Sequence, residues 1–262
     1  MFKKAVCLAT FVGACLSAQA PVPYLRDFCV KMQPGKFTEY AAMLHEVTAK
    51  VSQVRADEGK LAWWLAEVAV VPAGSSARCD YHLVSGYAGF PPEPSTPAET
   101  DAALIKAKVP NMTAVGMFAK RDSLSTLVSV DIWRGVAGVG SPQKGGYVRM
   151  NLYKANPVSE WTKLETGGWK PMVQAYSKDH PGIGWAAGEL ALAGGSGMHY
   201  NAMTVDFFPT WAAVGQGSGP ITEVWPKVHP DLKIDDYMQK VGKVADRYKV
   251  ELYQVTEMVM GK

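Results

Sequence analysis

Cysteine is scarce in this chain, and apolar runs long enough to cross a membrane are absent from its body. The sequence has 262 residues, of which four are cysteines and 19% are charged. After residue 20 no apolar run approaches the ~20 residues that a membrane-spanning helix needs. These shortages argue against a transmembrane protein and against a scaffold built on many disulfides.

The local motifs of several large enzyme classes are also missing. In a fitting context the chain has no P-loop, G-x-G-x-x-G, G-x-S-x-G or EF-hand pattern, and it has no H-E-x-x-H or C-x-x-C-H. Its charges are scattered, without the basic stripe that a phosphate backbone requires. We therefore predict no metal site and no nucleic-acid partner, and the sequence leaves the cofactor unknown.

The first twenty residues have the three-part pattern of a signal peptide. Lys3 and Lys4 form a basic start, residues 5–16 an apolar core, and residues 18–20 a small-x-small cleavage site. A buried N-terminal helix and a lipoprotein signal lipidated at Cys15 are the alternatives. Cleavage removes two lysines and no acid, so the formal charge falls from +3 to +1. We predict an exported protein, either periplasmic or secreted.

Two segments of the remaining chain begin alike. Residues 24–40 read YLRDFCVKMQPGKFTEY, and residues 147–163 read YVRMNLYKANPVSEWTK. Four residue types recur at one offset: Tyr24, Arg26, Lys31 and Pro34, then Tyr147, Arg149, Lys154 and Pro157. Further matches pair Trp63 with Trp185, Glu67 with Glu189, and Tyr81 with Tyr200. The sequence therefore predicts an internal duplication.

Each half predicts the element order β-α-β-β-α-β of a ferredoxin-like unit. In the first half an apolar residue recurs every three or four positions from Phe37 to Val54, the stripe of an amphipathic helix. In the second half Gly167, Gly168 and Pro171 interrupt the corresponding helix, so we expect a break or kink there.

The predicted domains are a signal peptide at 1–20, a first unit at 21–134, a Gly-rich linker at 135–146 and a second unit at 147–262. A ferredoxin-like sheet carries helices on one face, so its other face must be covered. The two units can cover each other, sheet against sheet. One continuous parallel sheet is the competing layout, and hairpin turns near Gly74 and Gly195 disfavour it.

With this element order and duplication, the sequence resembles the dimeric α+β barrel superfamily, in a tandem version where one chain supplies both units. The resemblance implies an α+β fold with two ferredoxin-like units packed as an intramolecular barrel. Known members include cofactor-free monooxygenases, haem-dependent enzymes, lactone isomerases and stress proteins, and they commonly hold a small ligand between sheet and helices. No catalytic residue carries over, because no local motif matches. A small apolar ligand and a homo-oligomer are the partners left open.

One histidine falls in the predicted third strand of each half. His82 and His199 could each transfer protons or ligate a metal. A hydrogen-bonded histidine at the sheet surface is the simpler interpretation, because no second metal ligand accompanies either of them at a recognised spacing.

Two glutamates lie alone in apolar predicted strands. Burial would raise the pKa of Glu67 or Glu189 towards the range of a useful proton carrier. Arg26 and Arg149 are the expected partners, since they also recur in both halves. A repeated ion pair is, however, more typical of a structural feature than of a catalytic one.

Aromatic residues of the same strands could line a ligand cavity. Trp63, Trp185, Tyr81 and Tyr200 offer large contact areas and a polar N–H or O–H group. The alternative is that they are core residues between sheet and helices. Arg26 and Arg149 are further candidates for ligand binding.

Cys29 and Cys79 remain after cleavage, and the topology predicts a disulfide between them. The first and third strands of a ferredoxin-like unit are antiparallel neighbours, so the end of one lies beside the start of the other. Export supplies an oxidising environment. Two buried free thiols are the alternative.

Two functions are consistent with the sequence. One is an exported small-molecule-binding barrel without catalysis. The other is an oxygenase or isomerase type of enzyme, cofactor-free or haem-dependent, acting on a small apolar substrate. A cavity with converging polar groups in one half and a filled interior in the other would favour the enzyme.

Overall fold

The computed structural model describes residues 23–194, 199–217 and 221–262. The predicted signal peptide, with Cys15, lies outside the described residues, as do residues 195–198 of the predicted glycine-rich turn. Within the described part of the chain no helix is long and apolar enough to cross a membrane.

The first unit contains four strands and four α-helices among its described residues. Its strands are β1 (Tyr24–Met32), β2 (Trp63–Val71), β3 (Tyr81–Tyr87) and β4 (Ser125–Val139). Its helices are α1 (Phe37–Met43), α2 (Ala49–Asp57), α3 (Pro97–Lys106) and α4 (Ala114–Leu124). A π-helical turn at Leu44–Thr48 joins α1 to α2 without a break. The side chain of Thr96 caps α3 through a capping box with Glu99.

The second unit repeats this order. Its strands are β5 (Tyr147–Ala155), β6 (Gly184–Gly194), β7 (Ala202–Phe208) and β8 (Ala245–Met260). Its helices are α5 (Val158–Leu164), α6 (Lys170–Tyr176), α7 (Trp211–Gln216), α8 (Ile221–Val228) and α9 (Ile234–Val244). A π-helical turn at Glu165–Trp169 joins α5 to α6. The expected interruption is therefore a π turn, and the first unit has the same turn without glycines.

The eight strands close into one antiparallel barrel. Their order around it is β1-β3-β2-β8-β5-β7-β6-β4, so each unit contributes a 4-1-3-2 ferredoxin-like sheet. Pairing of β2 with β8 and of β4 with β6 joins the two sheets. The predicted tandem α+β barrel is confirmed, and a continuous parallel sheet is excluded. Strand β4 runs to Val139, so residues 135–139 of the predicted linker are strand.

The strand register corrects part of the sequence alignment between the units. Arg26, Ser85 and Trp64 lie opposite one another across β1, β3 and β2. Arg149, Asp206 and Trp185 form the same row across β5, β7 and β6. Trp185 therefore corresponds to Trp64, and matching it with Trp63 was wrong by one residue. Because side chains alternate between the faces of a strand, that one residue reverses the face.

Each sheet has one face inside the barrel and one against its own helices. On the helix side of the first unit lies a large apolar cluster that includes Tyr40, Leu44, Trp64, Tyr81 and Leu104. The corresponding cluster of the second unit includes Trp161, Met172, Trp185 and Trp225. Apolar residues from both sheets meet inside the barrel, among them Leu65, Val84, Trp133, Val148, Met203, Phe207 and Tyr253.

The predicted disulfide is present. Cys29 and Cys79 are bonded, with their Cα atoms 5.2 Å apart. Cys29 lies opposite His82 in the pairing of β1 with β3, so Cys79 comes just before the paired part of β3. Both cysteines are buried. The bond ties the end of β1 to the segment that leads into β3.

Candidate functional site

A cavity of about 490 Å³ lies in the second unit, between the outer face of its sheet and its helices. Strands β5, β7 and β8 form one side of it. The π turn at Glu165–Trp169 and helix α9 form the other side. Gln216 at the end of α7 and Gly217 after it also line the cavity. The cavity thus occupies the space between sheet and helices in which the resemblance implies a ligand.

The sheet side of the cavity is polar and tightly hydrogen-bonded. Arg149 Nε donates to Asp206 Oδ2 at 3.0 Å. Asn151 Nδ2 donates to the same carboxylate oxygen at 3.0 Å and to Thr204 Oγ1 at 3.1 Å. Asn151, Thr204 and Asp206 are buried. This row comes from adjacent strands whose side chains share one face, because Arg149 lies opposite Asp206 and Asn151 lies opposite Thr204.

The helix side carries a carboxyl group in an unusual protonation state. Glu165 is 5% exposed and lines the cavity. Loss of solvent on burial and, after it, the charge of the nearby Asp206 carboxylate raise its pKa to about 8, although Arg247 opposes the rise. Glu165 therefore carries a proton at neutral pH. It is placed on the π turn, where the widened helix directs residues differently from a regular α-helix.

Aromatic and apolar side chains complete the walls. Tyr153, Trp169 and Tyr237 line the cavity together with apolar residues of α9 and β8: Ile234, Met238, Val241 and Val250. Burial raises the pKa of Tyr153 and of Tyr237. Both phenols are therefore protonated at neutral pH. The Tyr237 hydroxyl donates to the Leu164 carbonyl at 3.3 Å, which holds this ring against the π turn.

Gly168 allows Tyr237 its position. A Cβ atom at residue 168 would lie 2.3 Å from the Tyr237 ring, whereas a Cβ atom at Gly167 would meet nothing within 4 Å. The Gly168 carbonyl also accepts a hydrogen bond from His229 Nε2 at 2.9 Å. The two glycines that mark this helix in the sequence thus have different roles, and only Gly168 shapes the cavity wall.

The same space in the first unit is filled by apolar side chains. The two π turns align, so Leu44 and Val47 occupy the places of Glu165 and Gly168. The register places Leu83 where the second unit has Thr204. Leu44, Val47 and Leu83 all belong to, or pack against, the apolar cluster of the first unit. The space between sheet and helices is therefore an apolar core in the first unit and a polar cavity in the second.

A second group of buried polar side chains lies inside the barrel. Arg78 is within 3.8 Å of both Asp131 and Glu251. The strand registers make these two acids equivalent residues of β4 and β8, because Ile132 and Leu252 lie opposite Arg26 and Arg149. Arg78 also donates to the Tyr200 hydroxyl at 3.0 Å.

His82 belongs to this interior group. Its Nδ1 lies 2.6 Å from Asp27 Oδ1, and its Nε2 lies 3.0 Å from the Tyr253 hydroxyl. That hydroxyl donates to Glu251 Oε2 at 2.9 Å. The charge of Arg78 is balanced by the carboxylates of Asp131 and Glu251. These buried side chains bind mainly one another, which is typical of a structural network.

The interior group also contains Glu67, which lies opposite His82. Its Oε2 has no hydrogen-bond partner among the described residues. Burial, followed by the charge of Asp27, raises the pKa of Glu67 to about 8, so the group is neutral at pH 7. The predicted ion pair with Arg26 is wrong: Arg26 instead donates to the Pro92 carbonyl and lies over the Tyr87 ring.

Glu189 differs from Glu67 because it faces the helices. It accepts hydrogen bonds from Arg134 and from Thr162 of α5. The predicted pair of Glu189 with Arg149 is wrong, since Arg149 pairs with Asp206. The two glutamates are therefore not at equivalent positions. The sequence alignment is wrong by one residue here, as it is for the tryptophans.

The sequence predicts His199 in a strand, and this is wrong. His199 precedes β7 and is exposed. Its ring lies 5.5 Å from that of Tyr248. Tyr200 also precedes β7, and its hydroxyl donates to Asp131 inside the barrel at 2.9 Å. Tyr81 packs against Tyr40 in the first-unit core.

The tryptophans occupy different faces of the barrel. Trp63 is half-buried towards the barrel interior, and Trp185 is fully buried beside the helices of the second unit. Among the predicted site residues, all of which the structure describes, Arg149 is the one that lines the cavity. The sequence did not single out Glu165, Asp206, Asn151 or Arg247. Gly168 was the residue of the sequence that could have indicated the cavity, because it lacks a side chain.

The fold of the chain is similar to three solved structures. A candidate monooxygenase from Lactobacillus acidophilus NCFM has a TM-score of 0.56 at 9% identity, over 91% of this chain and 96% of that one. An anthrone oxidase-like protein has a TM-score of 0.54 at 12% identity, over 94% and 95%. A candidate monooxygenase from Fusobacterium nucleatum has a TM-score of 0.52 at 12% identity, over 91% and 94%.

The chain matches no protein-family model and no curated protein sequence. The likeness to the solved structures therefore concerns the fold, which is that of the dimeric α+β barrels.

Proposed function

We propose that this protein binds a small molecule in the cavity of the second unit and acts on it by proton transfer, as an enzyme of the isomerase or cofactor-free oxygenase type. The observation that supports this most is the difference between the units. Three apolar positions of the first unit carry Glu165, Gly168 and Thr204 in the second. A duplicated unit that needed only stability would be expected to fill both spaces alike.

Glu165 is the proposed proton carrier. Its protonated carboxyl faces the cavity and can donate to an oxygen of the bound molecule; the carboxylate so formed can then take a proton from another atom of it. A group whose pKa lies near the working pH is suited to both steps. Asp206 cannot turn away from its place, because Arg149 and Asn151 both hold it. It keeps a negative charge close to Glu165, and that charge favours the protonated state.

The cavity does not offer the usual ligands of haem iron. Among its described lining residues there is no histidine and no cysteine. The nearby His229 donates its Nε2 proton to the Gly168 carbonyl. Tyr153 and Tyr237 hold their protons, as their raised pKa values require. These residues do not fit haem, and the proposed reaction does not involve it. Some proteins of similar fold are named as oxygenases. If this protein is an oxygenase too, its chemistry is proposed to be cofactor-free, with dioxygen as the co-reactant.

The other candidate is a binding protein that uses the same cavity without catalysis. Mass spectrometry of ligand retained by natively purified protein separates the two. If the protein is an enzyme, wild type and Glu165→Gln should retain different molecules, product in one and unreacted substrate in the other. An oxygenated product differs from its substrate in mass, whereas an isomer of equal mass differs in chromatographic retention and fragmentation. Identical retained molecules would support binding alone. An absorbance spectrum of the same samples would reveal haem or flavin.

The location of binding is tested with the neutral fluorescent probe N-phenyl-1-naphthylamine. Val241 lines the cavity on α9, so Val241→Trp should fill it and abolish the rise in probe fluorescence. Val115 on α4 of the first unit is 69% exposed, and Val115→Trp is the matched control that should leave binding unchanged. Equal binding by both variants would place the probe elsewhere and contradict the proposal.

We also propose export, which the disulfide supports. The intact mass of the exported protein should correspond to a chain that begins at Pro21. A retained Met1 or a lipid on Cys15 would contradict cleavage after residue 20.

A further inference from the structure

The charges that line the cavity do not cancel. Arg149 is paired with Asp206, with Nε and Oδ2 3.0 Å apart. Glu165 is protonated at neutral pH, for the reasons given above. Arg247 lies opposite Tyr153 at the edge of the cavity. Among the described residues no carboxylate lies within 4 Å of its guanidinium. The lining therefore has one positive charge, that of Arg247, with which no carboxylate of the described residues pairs.

Arg247 is also placed where a ligand could reach it. Its guanidinium carbon lies 5.9 Å from the centre of the Tyr153 ring. This contact with an aromatic face directs the head group along the cavity wall. Arginine presents a planar fork of donors that fits an oxyanion with two oxygens, such as a carboxylate.

Away from Arg247 the walls are flat and apolar. Tyr153, Trp169 and Tyr237 offer ring faces, and α9 contributes Met238 and Val241. Such walls favour a compact aromatic or alicyclic body with few polar groups. A volume of about 490 Å³ admits a molecule of one or two rings.

We propose that the ligand of this cavity is a small monoanion with a flat apolar body, whose oxyanion binds Arg247 while its rings lie against Tyr153 and Tyr237. This inference rests on the proposed function, because it assumes that the cavity is the binding site. It narrows the expected small apolar ligand to one that carries a single negative charge at one end.

The experiment compares two probes of the same ring system, 2-naphthoate and 2-naphthylmethanol, by isothermal titration calorimetry at low salt. A charge-assisted hydrogen bond should make the anion bind about tenfold or more tightly than the alcohol. Arg247→Gln should abolish this preference by weakening only the anion. Arg121→Gln, a change at another exposed arginine on α4 of the first unit, is the control that should leave the preference intact.

The outcomes separate this inference from the one on which it rests. If both probes bind equally well, the anion inference is overturned and the cavity remains a binding site. A preference for the anion that survives Arg247→Gln also overturns it, since the charge would be bound elsewhere. Failure of both probes to bind overturns the proposed function and this inference with it. As a control for folding, the unfolding midpoints of both variants should equal that of the wild type.

Discussion

Removing the carboxyl group of Glu67 should make the stability of this protein less dependent on pH. Glu67 is buried inside the barrel, where burial and then the charge of Asp27 raise its pKa from 4.5 to about 8. In the unfolded chain the group regains its ordinary pKa. A carboxyl whose pKa is raised by folding stabilises the folded state below its ordinary pKa, and that contribution is lost as the pH rises towards its folded value.

The size of the effect follows from this shift. One pKa unit corresponds to about 1.4 kcal/mol, so keeping Glu67 protonated costs the folded state roughly 1 kcal/mol at pH 5 and about 3 kcal/mol at pH 7. The wild type should therefore lose about 2 kcal/mol through this residue between the two values. Glu67→Gln keeps the shape and has no proton to lose, so this part of the loss should disappear. Glu165 contributes a loss of the same sign, which remains in the variant.

The assay is urea unfolding followed by tryptophan fluorescence at pH 5 and pH 7. Glu189→Gln is the matched control, because Arg134 and Thr162 bind that carboxylate outside the barrel interior. Glu67→Gln should be more stable than the wild type at pH 7 and differ little from it at pH 5. Equal pH dependence in Glu67→Gln and the wild type would refute it.

Two further changes test other parts of the structure. The double variant Cys29→Ser, Cys79→Ser should have a free energy of unfolding about 2–4 kcal/mol lower than the wild type, because the disulfide restricts the unfolded chain. An unchanged urea midpoint would contradict this. The unfolded, unreduced wild type should show no titratable thiol at these positions. Gly168→Ala should lose about 1–3 kcal/mol, because its Cβ would meet the Tyr237 ring at 2.3 Å. Gly167→Ala, with open space around it, should be neutral or up to about 1 kcal/mol more stable, and the reverse order in a thermal melt would show that the wall is not held by Gly168.

Much of the architecture could be predicted from the sequence, because it depends on patterns that repeat. The two similar segments at 24–40 and 147–163 predict the duplication, and the hairpin turns predict antiparallel pairing. The disulfide follows from that topology, since β1 and β3 must be neighbours in a ferredoxin-like sheet. The double π turn could not be predicted, because its first copy contains neither glycine nor proline.

The register could not be read from the sequence with the same success. Trp63 and Trp64 are adjacent, and either matches Trp185 equally well by residue type. Local preferences do not decide between them, because both belong to an apolar strand and only the pairing partners fix the face. The consequence was large: Glu67 lies inside the barrel, whereas Glu189 faces the helices.

The cavity was missed for a related reason. Glu165 and Leu44 occupy the same place in the two units, but a glutamate on an amphipathic helix is ordinarily a solvent-exposed residue. Glu165 is buried against a row of polar side chains across the sheet that includes Asn151 and Asp206. These two residues are 55 positions apart in sequence, so the row cannot be recognised from a local pattern. Only the absence of side-chain volume at Gly168 indicated that the second unit is less filled than the first.

The most direct test of the account is a crystal structure of the protein with 2-naphthoate. The naphthalene rings should lie between β5 and α9 of the second unit, with the carboxylate about 3 Å from the guanidinium of Arg247. Rings bound outside this cavity, or a cavity closed by its own side chains with no ligand in it, would contradict the claim that the second unit holds the functional site.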